Sequence, residues 1–452
     1  MTTEPFLYKS YCVEPTIINN KINRKSYKTL KNTYTILNYN RDFVCNDDLE
    51  IGKYRSVIIS SVNNSLLSFS PPKSITYDLF IEKYPNITDS IIVSEIIEGT
   101  MINLWYDLDV DMWEISTKSA IGGKYYYYRT EYFNETKTQD TTFYNMFLDA
   151  LRIDHSTELD NISILDSIPK NYCYSFVLQH PDNHIVLPIK TPCLYLVAVY
   201  DIKDNRAITI PKNVYQEWEC FIDMGGIIQF PMIYDYLNEN EKTFLLKKEI
   251  IEKGDNGGAT PPHTYQELQH KFSSIQGDYN YLGVMITNME TGERTKIQNS
   301  VYDEVKTLRG NNPNLQYQYL CLRRMNKITD FVTYFPCYKK LFFKFFEQYK
   351  QFVTNIHKSY ITRYVKRTNE EISKKYLTHI YRLHHNIYIP SLSQESLQKR
   401  IITKYVVQEY LDSLEPSELL YFLNYETRKY TNDYIKDLNT FSLSNVDNGK
   451  GN

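Results

Sequence analysis

The sequence predicts an α+β protein, because two strand-rich blocks are followed by a helical region. Short apolar runs at 57–62, 66–69 and 91–97 are separated by turn residues, which is typical of β-strands. An uninterrupted apolar run at 193–200 predicts a buried strand. Beyond Thr333 the apolar residues recur at steps of three and four, which predicts helices that each pack through one face.

The first block predicts antiparallel pairs. The runs at 57–62 and 66–69 flank Asn63-Asn64, a dipeptide that favours a hairpin turn. Gly99 separates two more apolar runs and predicts a strand–turn–strand unit. The other elements expected here are a return strand at 113–116, a strand at 125–128 and a short helix at 144–151.

The second block adds strands, one loop and two helices. Thr264 and Glu267 form the sequence pattern of a capping box, which predicts the start of a helix at 265–272. The remaining predicted elements are strands at 172–178, 193–200, 282–287 and 294–298, a helix at 239–252 and a loop at 254–262.

The helical region has one long apolar stripe, formed by Phe342, Phe345, Tyr349, Phe352 and Ile356. Core packing is the expected role of such a stripe. Pro390 is expected to separate these helices from later ones at 393–414 and 417–423.

Composition excludes several classes of protein. The 42 tyrosines, with many Asn, Ile and Lys, indicate an AT-rich genome such as that of a virus or a protist. The seven cysteines are scattered, which favours a reducing compartment over a disulfide framework or a zinc site. No apolar run has the ~20 residues that span a bilayer, and residues 1–10 do not have the pattern of a signal peptide. A cytoplasmic location, the host cytoplasm or a viral factory for a viral protein, is expected.

The charge is unevenly distributed. Residues 331–408 hold fourteen Lys and Arg against four acids, a balance of +10, which leaves −13 for the rest of a chain with net charge −3. Such asymmetry predicts a basic module beside an acidic one.

The segment 94–102 has the form of a nucleotide-transfer motif without its nucleophile. Covalent nucleotidyltransferases use a Lys-x-Asp/Glu-Gly-Ser/Thr element, in which the lysine amine attacks ATP. Glu98, Gly99 and Thr100 match the last three positions, but the lysine position holds Ile96. An isoleucine has no lone pair and cannot act as the nucleophile.

Four further segments occur in order after this motif, at 113–119, 176–186, 282–285 and 295–299. Together the five segments resemble the phage-type RNA ligase 1 family and its viral relatives, from about Tyr54 to Leu322. The resemblance implies a mixed, mainly antiparallel, ATP-grasp-like nucleotidyltransferase domain at 45–325. A lead-in at 1–44 and a basic helical domain at 326–452 would flank it. The resemblance also implies nucleotide-binding roles for Glu98, Gly99, Lys118, Phe176 and Lys296.

The chain departs from the family pattern at the positions that carry the family's catalytic chemistry. Carboxylates expected beside Phe176 and before Gly283 are replaced by Val177 and Leu282, and a second lysine after Lys296 is replaced by Gln298. With Ile96, each replacement removes a charge that would attack, bind a metal ion or neutralise phosphate. The concordance predicts an RNA-binding, ligase-like protein that is catalytically degenerate, with no certain catalytic residue and no metal site.

Two alternatives remain open. An active ATP-dependent RNA ligase, using ATP and Mg²⁺, could employ a relocated lysine, with Lys118 as the first candidate and then Lys73 or Lys124. A scaffold subunit could keep the fold for a protein partner, in which case an exposed apolar patch would cover the old cleft.

RNA is the expected partner, and no association with a membrane is expected. Lys306 and Arg309 lie three apart on a predicted helix and should face one way, forming a phosphate-contacting rim or a plain solvated face. The other basic residues expected to bind RNA are Arg323, Arg324, Lys366 and Arg367. His379, His384 and His385 do not have metal-ligand spacing, which favours packing or an RNA contact.

Overall fold

The computed structural model describes residues 8–29, 32–45, 48–125, 141–183, 185–234, 264–273, 279–310, 312, 314–393 and 400–428. The chain divides into two compact units, 1–307 and 308–452, and the boundary falls within one helix. The predicted helix at 239–252, the loop at 254–262 and residues 126–128 of a predicted strand lie outside the described residues.

The strands belong to the first unit. Those of the described residues are, in chain order, β1 (Ser10–Cys12), β2 (Ile22–Lys28), β3 (Thr33–Tyr39), β4 (Val57–Ser60), β5 (Leu66–Ser68), β6 (Ile91–Glu95), β7 (Thr100–Asp107), β8 (Met112–Thr117), β9 (Tyr172–Gln179), β10 (Cys193–Lys203), β11 (Arg206–Ile210), β12 (Ile228–Gln229), β13 (Ile233–Tyr234), β14 (Gly283–Asn288) and β15 (Arg294–Gln298).

These strands form three sheets. The largest has the order β1-β11-β10-β9-β7-β8, with β12 added parallel to β10. Two four-stranded sheets have the orders β2-β3-β4-β5 and β13-β6-β14-β15. Every pairing except that of β12 is antiparallel.

The helices of the described residues are, in chain order, α1 (Leu49–Gly52), α2 (Tyr77–Lys83), α3 (Phe143–Leu151), α4 (Ser163–Asp166), α5 (Lys212–Tyr215), α6 (Glu219–Asp223), α7 (Tyr265–Phe272), α8 (Ser300–Arg309), α9 (Leu315–Arg324), α10 (Ile328–Tyr334), α11 (Lys339–Tyr360), α12 (Lys374–Arg382), α13 (Ile389–Ser393), α14 (Lys404–Ser413) and α15 (Pro416–Leu423). Single π-helical turns follow α11 at Ile361–Lys366 and α12 at Leu383–Tyr388.

The largest sheet has an apolar core on each face because side chains alternate along its strands. One face packs against α3 through Ile102, Tyr174 and Phe176. The other face packs against β2–β5 through Trp105 and Cys173. The third sheet has its own core with α2 and α7. The face of the largest sheet that packs against β2–β5 also borders a cavity, together with residues of the third sheet.

The predicted α+β class is confirmed. The predicted hairpin at Asn63-Asn64, the strands around Gly99 and the capping box of Thr264 and Glu267 are all present. Pro390 precedes the later helices α14 and α15, as expected, but it lies inside α13, two residues after a π-helical turn, and does not itself end a helix. Proline removes a backbone donor from a helix, and the wider turn before it changes the hydrogen-bond pattern there.

Candidate functional site

The cavity of the first unit has a volume of about 390 Å³ and lies at the predicted motif. Its walls include Ile96 and Gly99 from the turn between β6 and β7. Met101 and Val177 contribute from the largest sheet, and Met285 contributes from the third sheet. A cavity of this size is within the range of small-ligand sites.

Ile96 occupies the position at which the motif requires an amine. Its N–H donates to the carbonyl of Gly283 (3.2 Å), which ties the turn to β14. Val177, at an expected carboxylate position, also lines the cavity, and Leu282, at the other, is buried. Gln298, at the expected lysine position, donates through Nε2 to Oδ1 of Asp303 (3.2 Å). These side chains offer neither an amine nor a carboxylate to a ligand.

Glu98 is a buried structural carboxylate. Its oxygens accept the N–H groups of Ile185 (3.1 Å), Val186 (3.0 Å) and Leu187 (3.1 Å). The hydroxyl of Tyr302 donates to Oε2 of Glu98 at 2.6 Å, and burial beside this carboxylate raises the pKa of Tyr302. A carboxylate satisfied by three amides and a phenol is held in place and need not face a ligand.

Gly99 permits a close approach between two strands. A Cβ atom at this position would lie 2.4 Å from the carbonyl oxygen of Leu178 and 2.7 Å from Cγ1 of Val177. The glycine therefore lets the turn pass directly over β9, where it borders the cavity.

Phe176 does not line the cavity, contrary to the position expected for a residue near the adenine. Its side chain is 1% exposed and packs in the core with α3, on the opposite face of the sheet from Val177. Neighbouring residues of a strand point to opposite faces, so the two cannot share the cavity.

Lys118 follows β8 and lines the cavity, as expected. Its Nζ lies 4.9 Å from the centroid of the Tyr39 ring, within cation–π distance. Burial, together with the charges of Arg41 and Arg55, lowers the pKa of Lys118 to about 8. A substantial fraction of this amine is therefore neutral near pH 8.

Lys212 is a cavity residue that the sequence did not reveal. It is the first residue of α5, directly after Pro211, and its Nζ donates to Oγ of Ser94 (2.8 Å) on β6. Burial and the charge of Arg294 lower the pKa of Lys212 to about 8. No motif includes it, and its position depends on the placement of β11 in the sheet.

Two arginines complete a cationic group in the cavity. Arg294 donates through Nε to the carbonyl of Pro72 (2.8 Å) and through Nη2 to that of Pro71 (3.0 Å), and Arg55 donates to Pro71 (3.4 Å). Burial lowers the pKa of both arginines. The charge of Arg41 adds to this effect for Arg55, and the charge of Arg55 adds to it for Arg294, whose pKa falls to about 10. Within the described part of the chain, no carboxylate forms an ion pair with Arg55, Arg294, Lys118 or Lys212.

Lys296 is exposed and lies on β15 opposite Met285. It shares a strand face with Arg294, because the two are separated by one residue. Although the residue is exposed overall, partial desolvation of the Lys296 amine lowers its pKa; the carboxylate of Asp303 opposes this effect and the charge of Lys306 adds to it.

The other two lysines considered as replacements lie elsewhere. Lys73 donates through Nζ to the carbonyls of Val44 (3.2 Å) and Cys45 (3.0 Å). Lys124 lies with its Nζ 5.7 Å from the centroid of the Tyr144 ring. Neither residue lines the cavity.

The cavity does not fit a divalent cation. Glu95 is the one acidic residue among the described residues that line it, and one of its oxygens accepts the N–H of Met232 (3.4 Å). Mg²⁺ requires near-octahedral oxygen ligation, usually from one or two carboxylates, substrate phosphates and water. Within the described ranges, no group of three or more His, Cys, Asp or Glu side chains could hold a metal ion.

The predicted rim on α8 is not formed as expected. Lys306 is exposed, but Arg309 is fully buried, with its guanidinium 5.3 Å from the ring centroid of Tyr338. The two side chains therefore differ in exposure, because the guanidinium of Arg309 packs against the ring of Tyr338, a core residue of its own unit.

The remaining basic residues fall into two groups. Arg323 stacks 3.9 Å from the ring centroid of Tyr349 and forms a bidentate ion pair with Asp412 (2.9 and 3.2 Å), and Arg324 pairs with Glu415 (2.9 Å). Arg323 thus joins α9 to α11 and α14, whereas the Arg324 pair lies at the surface with both side chains exposed. Lys366 and Arg367 are exposed.

The three histidines also separate. His379 is fully buried, its Nδ1 is 2.9 Å from the Tyr410 hydroxyl, and burial lowers its pKa to about 4. The predicted packing role is confirmed for this residue. His384 and His385 lie on the π-helical turn Leu383–Tyr388 and are partly or fully exposed.

Comparison with known proteins finds sequence similarity to a phage protein. The chain is 22% identical over 284 residues to an RNA ligase of Rhodothermus phage RM378. It is similar to a phage RNA ligase. The match covers 62% of this chain and 59% of the relative, so the chain spans less than two thirds of that protein's length. No family model matches.

Solved structures with detectable similarity include variants of a Naegleria gruberi RNA ligase. One variant, with ATP and Mn, has a TM-score of 0.33 and 11% identity over 52% of this chain and 58% of that chain. Another, without ligand, has a TM-score of 0.30 and 14% identity over 47% of this chain and 50% of that chain.

No helix in the described residues is long and apolar enough to cross a membrane.

Proposed function

We propose that this chain is an RNA-ligase-like protein that binds RNA and does not form a covalent nucleotide adduct at position 96. The observation that carries the proposal is the apolar side chain of Ile96 at the cavity wall. An amine is needed there for attack on a phosphate, and a hydrocarbon side chain cannot replace it.

The rest of the cavity supports the same proposal. Val177 and Leu282 stand where the resemblance implies carboxylates, and the cavity does not fit Mg²⁺. The cationic group of Arg55, Arg294, Lys118 and Lys212 persists nevertheless. A cleft that keeps its positive charge but lacks a metal site suits binding of a phosphate group better than its transfer.

The RNA contact is proposed on exposed basic residues of the second unit, chiefly Lys366 and Arg367. Lys306 is a separate candidate contact on the first unit. The balance of +10 over 331–408 supplies the charge that neutralises phosphates. Arg309 and Arg323 are not included, because their guanidinium groups are occupied inside the protein.

The second candidate function is an active ATP-dependent RNA ligase with a relocated lysine. It is favoured by Lys118 and Lys212, which both line the cavity and both have a pKa of about 8. A neutral amine could attack the α-phosphorus of ATP, form a P–N bond and release pyrophosphate, with the amine proton passing to water. Attack requires in-line approach at about 3–3.5 Å.

One assay separates these functions. The full chain is incubated with ATP labelled on the α-phosphate and Mg²⁺ or Mn²⁺, and resolved on a denaturing gel. We expect no covalent label. A label that disappears in Lys118→Arg or Lys212→Arg, but not in the exposed control Lys25→Arg, would establish the second candidate instead.

RNA binding is tested separately by fluorescence anisotropy over a range of salt concentrations. We expect affinity to fall as salt rises, since bound cations release counterions from the RNA. Binding without any salt dependence, or no binding at all, would contradict the proposal and leave the scaffold alternative.

A further inference from the structure

An aromatic cluster in the second unit combines five rings from two adjacent helical segments. Tyr364 lies on the π-helical turn Ile361–Lys366, and the other four rings, Tyr381, His384, His385 and Tyr388, lie on α12 and the π-helical turn after it. We refer to these five side chains as the ring cluster. π-Helical turns are rare and occur often at functional sites, and here two of them meet through Tyr364 and His384.

Three of the rings form a parallel stack. Tyr364 and His384 have centroids 3.8 Å apart and planes 13° apart, and His384 stacks on Tyr388 at 5.3 Å and 21°. The Tyr360 hydroxyl lies 3.2 Å from Nδ1 of His384, which fixes the middle ring.

The other two rings form a pair across the stack. Tyr381 and His385 have centroids 4.2 Å apart, and the ring of His385 is perpendicular to that of His384 (89°). Tyr381 is 57% exposed, and His385 is exposed as well. Large aromatic side chains at this exposure are not part of the core, so packing alone does not account for them.

Exposed cations flank Tyr364 in the chain. Arg363, Lys366 and Arg367 are exposed on and directly after the turn that carries Tyr364. Glu370 and Glu371 follow on the chain, but within the described residues neither forms an ion pair with the three cations. Positive charge beside exposed rings is the combination that binds the backbone and the bases of a single strand.

We propose that the ring cluster is a binding site for unpaired bases of single-stranded RNA, with Arg363, Lys366 and Arg367 contacting the adjacent phosphates. This inference rests on the proposed RNA-binding function and adds the form of RNA that is bound. Bases within a duplex are already stacked on each other, so their faces are not available to protein rings. The site therefore selects single strands or unpaired ends.

The test uses the full chain and a short labelled oligoribonucleotide without secondary structure. Tyr364→Ala and Tyr381→Ala should each weaken binding about tenfold, since one ring stacks on about one base. Tyr364→Phe should bind as the unaltered protein does, because the ring remains. Tyr405→Ala is the matched control, as Tyr405 is 67% exposed on α14 of the same unit and lies outside the cluster.

Two further measurements keep the test decisive. Duplex RNA of the same length should compete poorly. A single-stranded DNA that competes equally would show that the site does not read the 2′-hydroxyl, and would still support base stacking.

The outcomes distinguish this inference from the function on which it rests. Salt-dependent RNA binding that is unchanged in Tyr364→Ala and Tyr381→Ala, or equal affinity for duplex and single strand, would overturn the stacking site alone. Absence of RNA binding by the unaltered chain at every salt concentration would overturn both.

Discussion

The hydroxyl of Tyr302 on α8 lies 2.6 Å from Oε2 of Glu98, and it donates the one side-chain hydrogen bond seen for that carboxylate in the described residues. The bond links the turn after β6 to a helix 204 residues later in the chain. Backbone amides at 185–187 bind the same carboxylate. Glu98 thus holds three segments of the first unit together, a structural role that does not require an amine at position 96.

Replacing Tyr302 by phenylalanine should lower the free energy of unfolding by about 1–2 kcal/mol, because a buried carboxylate loses a hydrogen bond with nothing to replace it. Denaturant unfolding measures the change. Tyr27→Phe is the control, since it removes a hydroxyl that donates to Ser119 at an exposed site (2.6 Å). Equal, small effects of both substitutions would contradict a structural role for the Glu98 contact.

Alanine at Gly99 should destabilise the first unit by about 2–3 kcal/mol, because the added methyl group would overlap the backbone of β9. Gly225→Ala is the matched control: its φ is +56°, but a Cβ there would meet no atom within 4 Å. It should cost about 1 kcal/mol from backbone strain alone. Thermal unfolding of both variants would show whether the close approach of the turn to β9 accounts for the difference.

The strands around Gly99 could be predicted because alternation and turn residues are local properties of the sequence. The residues that line the cavity could not be predicted in the same way. Period-two alternation says that Phe176 and Val177 point to opposite faces, but the sequence does not say which face borders the cavity. The resemblance implied that Phe176 borders the cavity, whereas in the structure Val177 borders it.

The sequence also could not predict the position of Lys212 or the burial of Arg309, because both depend on long-range contacts. Lys212 reaches Ser94 because β11 pairs with β10, a contact between segments more than 100 residues from β6. Helical spacing put Lys306 and Arg309 on one face, but the environment of each residue depends on what packs there. Arg309 meets Tyr338, which no periodicity in the helix indicates.

Lys212 should make stability depend on pH in the alkaline range. Its folded pKa of about 8 is below the ordinary value of 10.5, so between these values the unfolded chain binds more protons and stability rises with pH. Below pH 8 the penalty for the buried charge is fully present. Relative to Lys212→Met, the unaltered protein should therefore gain about 2 kcal/mol between pH 8 and 10.5.

Denaturant unfolding of both proteins at several pH values measures this gain. Lys25→Met, which removes an exposed amine from β2, is the matched control. If the difference in the free energy of unfolding between Lys212→Met and the unaltered protein stays constant from pH 7.5 to pH 10.5, the amine is not held in a desolvated site.

His379 should make the second unit sensitive to acid. Burial, followed by the charge of Arg382, lowers its pKa from 6.5 to about 4. The folded state therefore resists protonation, and its stability is complete above pH 6.5 and is lost as pH falls toward 4. We expect a loss of about 2 kcal/mol across this window, and a smaller loss in His379→Gln. Thermal unfolding at several pH values tests it, with His357→Gln as the control on α11; equal acid sensitivity of all three proteins would exclude His379 as the cause.

Reversing the charges of Lys366 and Arg367 should weaken RNA binding and reduce its salt dependence. Each phosphate contact on a single strand contributes about 0.7 to the slope of log affinity against log salt, so the slope should fall by about 1.4 in Lys366→Glu/Arg367→Glu. Both residues are exposed, so unfolding should be little affected. Lys25→Glu/Lys28→Glu is the control, because it changes the net charge by the same amount on exposed positions of β2. If both double variants lower the slope equally, the effect reflects net charge, and the second unit has no localised phosphate site.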